Sequence, residues 1–167
     1  KTDAGGVKLN IHSADEAAAA YQEILANVAR TKPGARTDGV LVQEMAPAGV
    51  EMIIGVTKDK QFGPMLLVGM GGVFVEVFKD AALYPAPLNH DEAIGMLKKL
   101  KSYKLLTGYR GAKPCDIDAL ADMMVKIGDY ACAHCDELKE LDLNPVFVYP
   151  EGEGVCAVDA LIVNEID

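Results

Sequence analysis

The feature that most constrains this chain is a series of short apolar, β-branched runs joined by turns too brief to hold a helix. Residues 39–45 lead through Ala46-Pro47-Ala48-Gly49 into residues 51–56. A polar turn over 58–63 then leads to 65–68, and Gly69-Met70-Gly71-Gly72 leads to the alternating run 73–78. Connections this short join antiparallel strands, because parallel pairs need a long crossover. The middle of the chain therefore reads as an antiparallel meander. Near the end, the apolar runs 141–149 and 155–163 flank Pro150-Glu151-Gly152-Glu153 and predict a further hairpin.

Helical spacing appears between these runs. Residues 7–11 alternate as a short strand, after which Ser13 takes an N-cap position with Glu16 three residues on, the pattern of a capping box. The Ala-rich run that follows reads as a helix through Ala29, ended by Lys32-Pro33-Gly34. Residues 91–101 place Ala93, Ile94, Leu97 and Leu100 on one helical face. Residues 116–138 form a longer amphipathic pattern, opened by Lys113-Pro114 and by acids in its first turn, which suit the helix dipole. The class is α+β, an antiparallel sheet flanked by helices, without internal repeats or a low-complexity linker.

A chain of 167 residues that is half hydrophobic and one quarter charged has enough material for a buried core. No apolar run approaches the ~20 residues needed to cross a bilayer. The net charge is −9 with basic residues scattered, which argues against nucleic-acid binding, since phosphate needs a positive surface to displace its counterions. Cys115, Cys132, Cys135 and Cys156 are expected as free thiols in a reducing cytoplasm. The opening Lys1-Thr2-Asp3-Ala4-Gly5-Gly6 has no Met and reads as the inside of a loop, so an engineered or proteolytic start is expected.

The strongest chemical signal is Leu141-Asp142-Leu143-Asn144-Pro145. Asp142 and Asn144 lie two apart on a strand and so point to one face. With residues 150–153 as the hairpin loop, Asn144 falls across from Asp159, with cross-strand Cβ atoms roughly 4.5–5.5 Å apart. An amide carbonyl and a carboxylate at that spacing are hard oxygen donors able to share one Mg²⁺; the alternative is a polar border to a sheet face. Glu44 and Glu51 lie on neighbouring runs around a glycine-containing turn, where carboxylates can accept from ribose hydroxyls or simply face water. In Asp3-Ala4-Gly5-Gly6 the consecutive glycines let backbone N–H groups approach phosphate, or form an ordinary turn.

In order along the chain, Lys1-Thr2-Asp3-Ala4-Gly5-Gly6-Val7, Val42-Gln43-Glu44-Met45 with Gly49-x-Glu51, and Gly69-x-Gly71-Gly72 with Glu76 are followed by Gly108-Tyr109-Arg110-Gly111, Leu141-Asp142-Leu143-Asn144-Pro145 and Val158-Asp159-Ala160. This succession resembles the ATP-grasp domain of NDP-forming acyl-CoA synthetases, the ADP-forming acetyl-CoA synthetase β-subunit type related to the succinyl-CoA synthetase β subunit. The resemblance covers essentially the whole chain. It implies residues 1–36 as the end of a lid subdomain and 37–167 as the C-terminal nucleotide- and Mg-binding subdomain, with the N-terminal part of the domain missing.

The resemblance also implies an activity: acid, CoA and ATP exchanged reversibly for acyl-CoA, ADP and phosphate, through an acyl phosphate and a phosphohistidine. Asn144 and Asp159 would hold Mg²⁺ with support from Asp142, Glu44 and Met45 would sit at the adenine hinge, and Glu51 would accept from the ribose. The loop Lys1, Asp3, Gly5 and Gly6 would close over the phosphates of ATP or ADP. CoA-binding ligase domains or an α subunit are the implied partners, with neither nucleic acid nor membrane. Two departures bear on activity. The family's preceding lysine and histidine would lie before Lys1, and a basic residue common two positions after the metal-binding Asp is here Leu161, facing Asp142 on the expected register. Turnover by this chain alone is therefore not expected. Two classes stay open: the nucleotide-binding part of an acyl-CoA synthetase, or a catalytically impaired ATP-grasp module serving regulation or subunit assembly.

Other residues read more simply. Cys132-Ala133-His134-Cys135 has no second Cys/His pair at zinc-site spacing and lies near a helix end, where thiols serve as packing. His12 and His90 read as surface or capping residues, and Met65, Met70, Met96, Met123 and Met124 as core fillers. Arg110, on a glycine-flanked loop, is a candidate phosphate or carboxylate clamp, with a structural ion pair as the alternative.

Overall fold

The computed structural model describes residues 5–71 and 79–165, which form two compact units, Lys1–Pro47 and Ala48–Asp167. In the first unit, helix α1 spans Ala14–Thr31. Ser13 caps it by accepting from the Glu16 backbone N–H at 3.2 Å. The reciprocal half of the expected capping box is displaced by one residue, since the Glu16 carboxylate takes the His12 N–H at 2.7 Å. Ile24 is the single buried hydrophobic residue among those described in this unit.

Two expected strands of this unit, 7–11 and 39–45, are extended but belong to no ladder. Alternation favours an extended backbone, whereas a strand also needs a neighbour to satisfy its N–H and C=O groups. Neither run finds one among the described residues. Leu9, Leu41 and Val42 are correspondingly exposed. The expected run 73–78, with Gly72 and Glu76, lies outside the described residues.

The second unit is a six-stranded antiparallel sheet under two main helices. Its strands are β1 (Val50–Asp59), β2 (Gly63–Met70), β3 (Ala81–Pro85), β4 (Leu138–Val148), β5 (Val155–Ala157) and β6 (Ala160–Asn164). The order is β3-β2-β1-β4-β5, with β6 also pairing β4. Helix α2 is His90–Lys99, a short α3 is Tyr103–Leu106, and α4 is Ile117–Ala133. Asn89 and Glu92 form a full capping box at α2. Strand alternation sorts the side chains: Met52, Ile54 and Val56 of β1, Leu66 and Val68 of β2, and Leu141, Leu143, Val146 and Val148 of β4 are buried on one face. Met96 and Leu97 of α2 and Leu120, Ala121 and Met124 of α4 join the same cluster. Met70, Met96 and Met124 are thus core fillers as expected, and Met65 and Met123 are half-buried.

The longer helix differs from its expected extent. It stops at Ala133, His134 caps it, and the chain turns directly into β4, where Leu138 is a buried strand residue. The apolar spacing through 138 runs across the junction because helix and strand bury side chains on the same side. Strand β3, which the sequence did not suggest, pairs β2 from Gly69↔Ala81 to Met65↔Pro85. Ahead of it, Asp80 is buried and accepts the backbone N–H groups of Lys101 and Ser102, each at 2.8 Å. Burial pushes its carboxyl up, but donors from Ser102 and Lys101 outweigh that and leave it below the usual range.

Candidate functional site

The final hairpin closes on residues 150–153 as expected. Val148↔Val155, Phe147↔Cys156 and Val146↔Ala157 pair first, and Leu143↔Ala160, Asp142↔Leu161 and Leu141↔Ile162 continue the same register. Between them the Asn144 N–H donates to the Asp159 carbonyl at 3.1 Å, and the Val158 N–H to the Pro145 carbonyl at 3.0 Å. Asn144 and Asp159 are therefore directly opposed. The expected single strand over 155–163 is interrupted at Val158-Asp159, and the Asp159 carboxylate accepts the Ala160 N–H at 3.1 Å there. On the other side of β4, the ladder to β1 jumps from Met52↔Val146 to Ile54↔Leu143. The one extra β4 residue falls within Asn144-Pro145, which stand opposite Ile53 alone and whose peptide is cis. A bulge of this kind re-aims side chains locally.

Asp142, Asn144 and Asp159 come together on the face opposite the core. Burial raises the Asp142 carboxyl above its usual range, and the negative charges of Glu140 and Asp159 add to this. Gly55 pairs with Asp142, and a Cβ at Gly55 would lie in ordinary contact, 3.9 Å, with the Asp142 carboxylate. Amide and carboxylate oxygens are hard donors of the kind an oxygen-seeking divalent ion takes. Among the described residues no group of three or more His, Cys, Asp or Glu side chains is arranged to hold a metal. Mg²⁺ does not require one, because it retains several waters and takes one or two protein carboxylates.

Glu51 shares that face. It is exposed, pairs with Phe147 across β1 and β4, and lies four residues, roughly 13 Å of strand, from the Gly55–Asp142 pair. Its carbonyl accepts the Gly71 N–H at 2.7 Å. Glu44 and Met45 are exposed in the first unit, in a stretch without helix or strand, so the expected pair of carboxylates on adjacent strands does not form as such. Gly5 and Gly6 are in the same unit. The Gly5 carbonyl accepts from the Asn27 side chain at 3.2 Å, and a Cβ on Gly5 would come within 2.7 Å of that amide. Lys1 and Asp3 lie outside the described residues.

Arg110 has left-handed φ 54°, after Gly108 at φ 91°. Its guanidinium lies 5.3 Å from the Tyr109 ring, and it makes no ion pair among the described residues. The four cysteines are free, with Cys115 buried and Cys132 and Cys135 half-buried at the end of α4. His90 stands within 3.6–3.7 Å of Asp118 and Asp122, a surface bridge between α2 and α4.

One residue that shapes the hairpin escaped the sequence reading. Asp116, the N-cap of α4, accepts the Ala119 N–H on Oδ1, and the N–H groups of Gly152 and Gly154 on Oδ2 at 3.0 and 2.9 Å. These donors, Ala119 foremost, hold its carboxyl below the usual range. The available signal was an acid after Lys113-Pro114-Cys115 together with glycines flanking the hairpin loop, but their meeting spans 36 residues of sequence.

Residues 1–163 match the family model described as the ATP-grasp domain. The chain belongs to the ATP-grasp family. Within that family it is of the ADP-forming acyl-CoA synthetase β-subunit type. The β subunit of acetate–CoA ligase [ADP-forming] I of Pyrococcus furiosus is 44% identical over 163 residues, which are 98% of this ATP-grasp chain and 69% of that subunit. Acetate–CoA ligase [ADP-forming] I of Archaeoglobus fulgidus is 45% identical over 166 residues, 99% of this chain but 24% of that longer protein. The dinucleotide forming acetyl-coenzyme A synthetase 1 of Ca. Korarchaeum cryptofilum superposes with a TM-score of 0.92 at 48% identity, covering 98% of this chain and 70% of that one. That structure holds coenzyme A, Ca-AMPCP and HgCl⁺. Another of the same synthetase, with coenzyme A and Mg-AMPPCP, has its phosphohistidine segment pointing towards the nucleotide binding site. The fold expected from sequence, an ATP-grasp antiparallel sheet flanked by helices, is the one observed.

Proposed function

We propose that this ATP-grasp domain is the nucleotide-binding part of an ADP-forming acyl-CoA synthetase. In this reading it exchanges phosphoryl groups between ADP and a phosphohistidine on the route to an acyl phosphate and acyl-CoA. The observation that carries the reading is the opposed Asn144–Asp159 pair beside Asp142, on the same sheet face as Glu51. Asn144 and Asp159 would hold Mg²⁺, which when bound neutralises phosphate charge. Asp142 would orient them from the adjoining strand position. Glu51 accepts from the ribose, Glu44 and Met45 line the adenine hinge, and Lys1, Asp3, Gly5 and Gly6 close over the phosphates. Residues 1–36 act as the lid segment and 37–167 as the nucleotide- and Mg-binding segment. Arg110, paired with no acid among the described residues, is available to a phosphate or carboxylate. Phosphoryl transfer asks mainly for positioning and charge neutralisation, which these side chains supply. The partners are a CoA-binding ligase domain or an α subunit, as the relatives' names and lengths suggest.

The test is calorimetric titration of the full chain with ADP and with ATP, with and without Mg²⁺, repeated on Asp159→Ala. Binding that requires Mg²⁺ and weakens at least about tenfold in the variant is the expected result, since a charged group that anchors a ligand contributes on the order of 1.5–3 kcal/mol. Mg²⁺-independent binding, or binding indifferent to Asp159, would remove the metal from the hairpin.

A second reading, an ATP-grasp module that binds nucleotide without turnover and serves regulation or assembly, is favoured by Leu161. It stands opposite Asp142 and is 54% exposed, where a basic side chain would reach both the carboxylate and a phosphate. Leu161→Arg should cost under about 0.5 kcal/mol of stability at so open a position. If Leu161 limits turnover, phosphoryl transfer measured with the complementing ligase partner rises in the variant. An unchanged rate sets this reading aside.

A further inference from the structure

We infer that Gly49 and Gly71 are positioning residues for Glu51, bracketing the start of β1 so that its carboxylate is held where a ribose hydroxyl can reach it. The inference rests on the reading of Glu51 as the ribose acceptor. Neither glycine has positive φ, so the requirement for glycine comes from crowding, not from backbone conformation. A Cβ on Gly71 would lie 2.8 Å from the Glu51 Cβ and 3.1 Å from its backbone carbonyl carbon and oxygen. The Gly71 N–H donates to that same carbonyl at 2.7 Å. Gly71 is thus pressed flat on the Glu51 backbone and hydrogen-bonded to it.

Two residues before Glu51, a Cβ on Gly49 would lie 2.9 Å from the Val148 carbonyl oxygen, 3.1 Å from the Phe147 Cβ and 3.2 Å from Tyr149 Cδ1. The two nearest atoms are a backbone oxygen and a side-chain root, which cannot swing aside as the tip of a long side chain would. Phe147 is also the cross-strand partner of Glu51. One glycine therefore fixes the strand from the β4 side and the other from the end of β2. Adding a methyl at either place shifts the Glu51 main chain by some tenths of an ångström, enough to degrade a hydrogen bond whose useful range is itself narrow.

The experiment compares ADP with 2′,3′-dideoxy-ADP, in the presence of Mg²⁺, by calorimetry on the full chain. The wild type should prefer ADP about 10- to 100-fold, the worth of a hydrogen bond to a charged acceptor. Glu51→Gln should collapse that preference, and Gly71→Ala and Gly49→Ala should shrink it at least about threefold while leaving the affinity for dideoxy-ADP within about twofold. A general loss of structure would lower both affinities together, so parallel loss overturns the inference. So does an undiminished preference in either folded glycine variant. Glu51→Asp, which withdraws the carboxylate by one methylene at an exposed position, keeps the test open if neither glycine variant folds. Retained preference in Glu51→Asp shows that placement is immaterial and overturns it. Retained preference in Glu51→Gln instead removes Glu51 as the ribose acceptor, a failure of the underlying reading that the other variants would not mimic.

Discussion

At the scale of single residues, Asp116 shows how one carboxylate serves two elements. It caps α4 through Ala119 and ties the loop of the final hairpin through Gly152 and Gly154. Asp116→Ala leaves these N–H groups without their acceptor and should cost about 2 kcal/mol at neutral pH, read by denaturant unfolding. The folded-state pKa is depressed by those donors, so the stability contributed is fully present above the ordinary Asp value of about 3.9. It is lost as pH falls through the lower folded value. The gap between wild type and variant should therefore stay constant from pH 7 to about 5 and close in stronger acid; a gap that widened there would contradict the assignment. None of this is visible in local sequence. The acid at 116 reads as a first-turn residue of a helix and proves to be its N-cap, one position outside it, but its second partner depends on where the hairpin loop lands. Asp142, Asn144 and Asp159, by contrast, were legible, because a two-residue strand period and a four-residue loop fix their mutual placement before any tertiary contact is known.

At the scale of elements, the sheet and helices were read well where amphipathic patterning and a partner coincide. β1, β2, β4 and α2 fall where apolar runs or helical spacing put them. The exceptions have separate causes. The 7–11 and 39–45 runs have the alternation of strands without a neighbouring edge, and α4 ends early because the strand that follows continues its apolar spacing. β3 was overlooked because Ala81-Ala82-Leu83-Tyr84-Pro85 is short, carries a Pro at its end and has only Leu83 and Tyr84 as large side chains; pairing with β2 makes it a strand. α4 is held on the sheet by Leu120, Ala121 and Met124, all fully buried. Leu120→Ala should cost about 2–5 kcal/mol, the range for truncating a buried leucine in a tight core. A loss below about 1 kcal/mol in thermal or denaturant unfolding would mean that α4 is not docked as described.

At the scale of the whole molecule, burial is very unevenly divided. The described residues of Lys1–Pro47 bury Ile24, whereas Ala48–Asp167 contains the connected core. Stability should follow that division, since cooperative protection tracks buried apolar contacts. Limited digestion with trypsin should cut first after Arg36, exposed in a stretch without helix or strand and not followed by proline. The fragment beginning at Thr37 should persist, as mass spectrometry would show. Early cuts within β1, β4 or α4 would refute the division. The sequence by itself determined the α+β class, the β1–β2 hairpin of the expected meander, the closing hairpin and the opposed Asn144–Asp159 pair, because periodicity and short loops act over neighbouring residues. Only the tertiary structure decided which extended runs become strands, where α4 stops, how Asp116 reaches the hairpin, and that Gly49 and Gly71 press on the strand bearing Glu51. Each of these depends on a partner far along the chain, and a residue's sequence neighbours carry no record of what it will pack against.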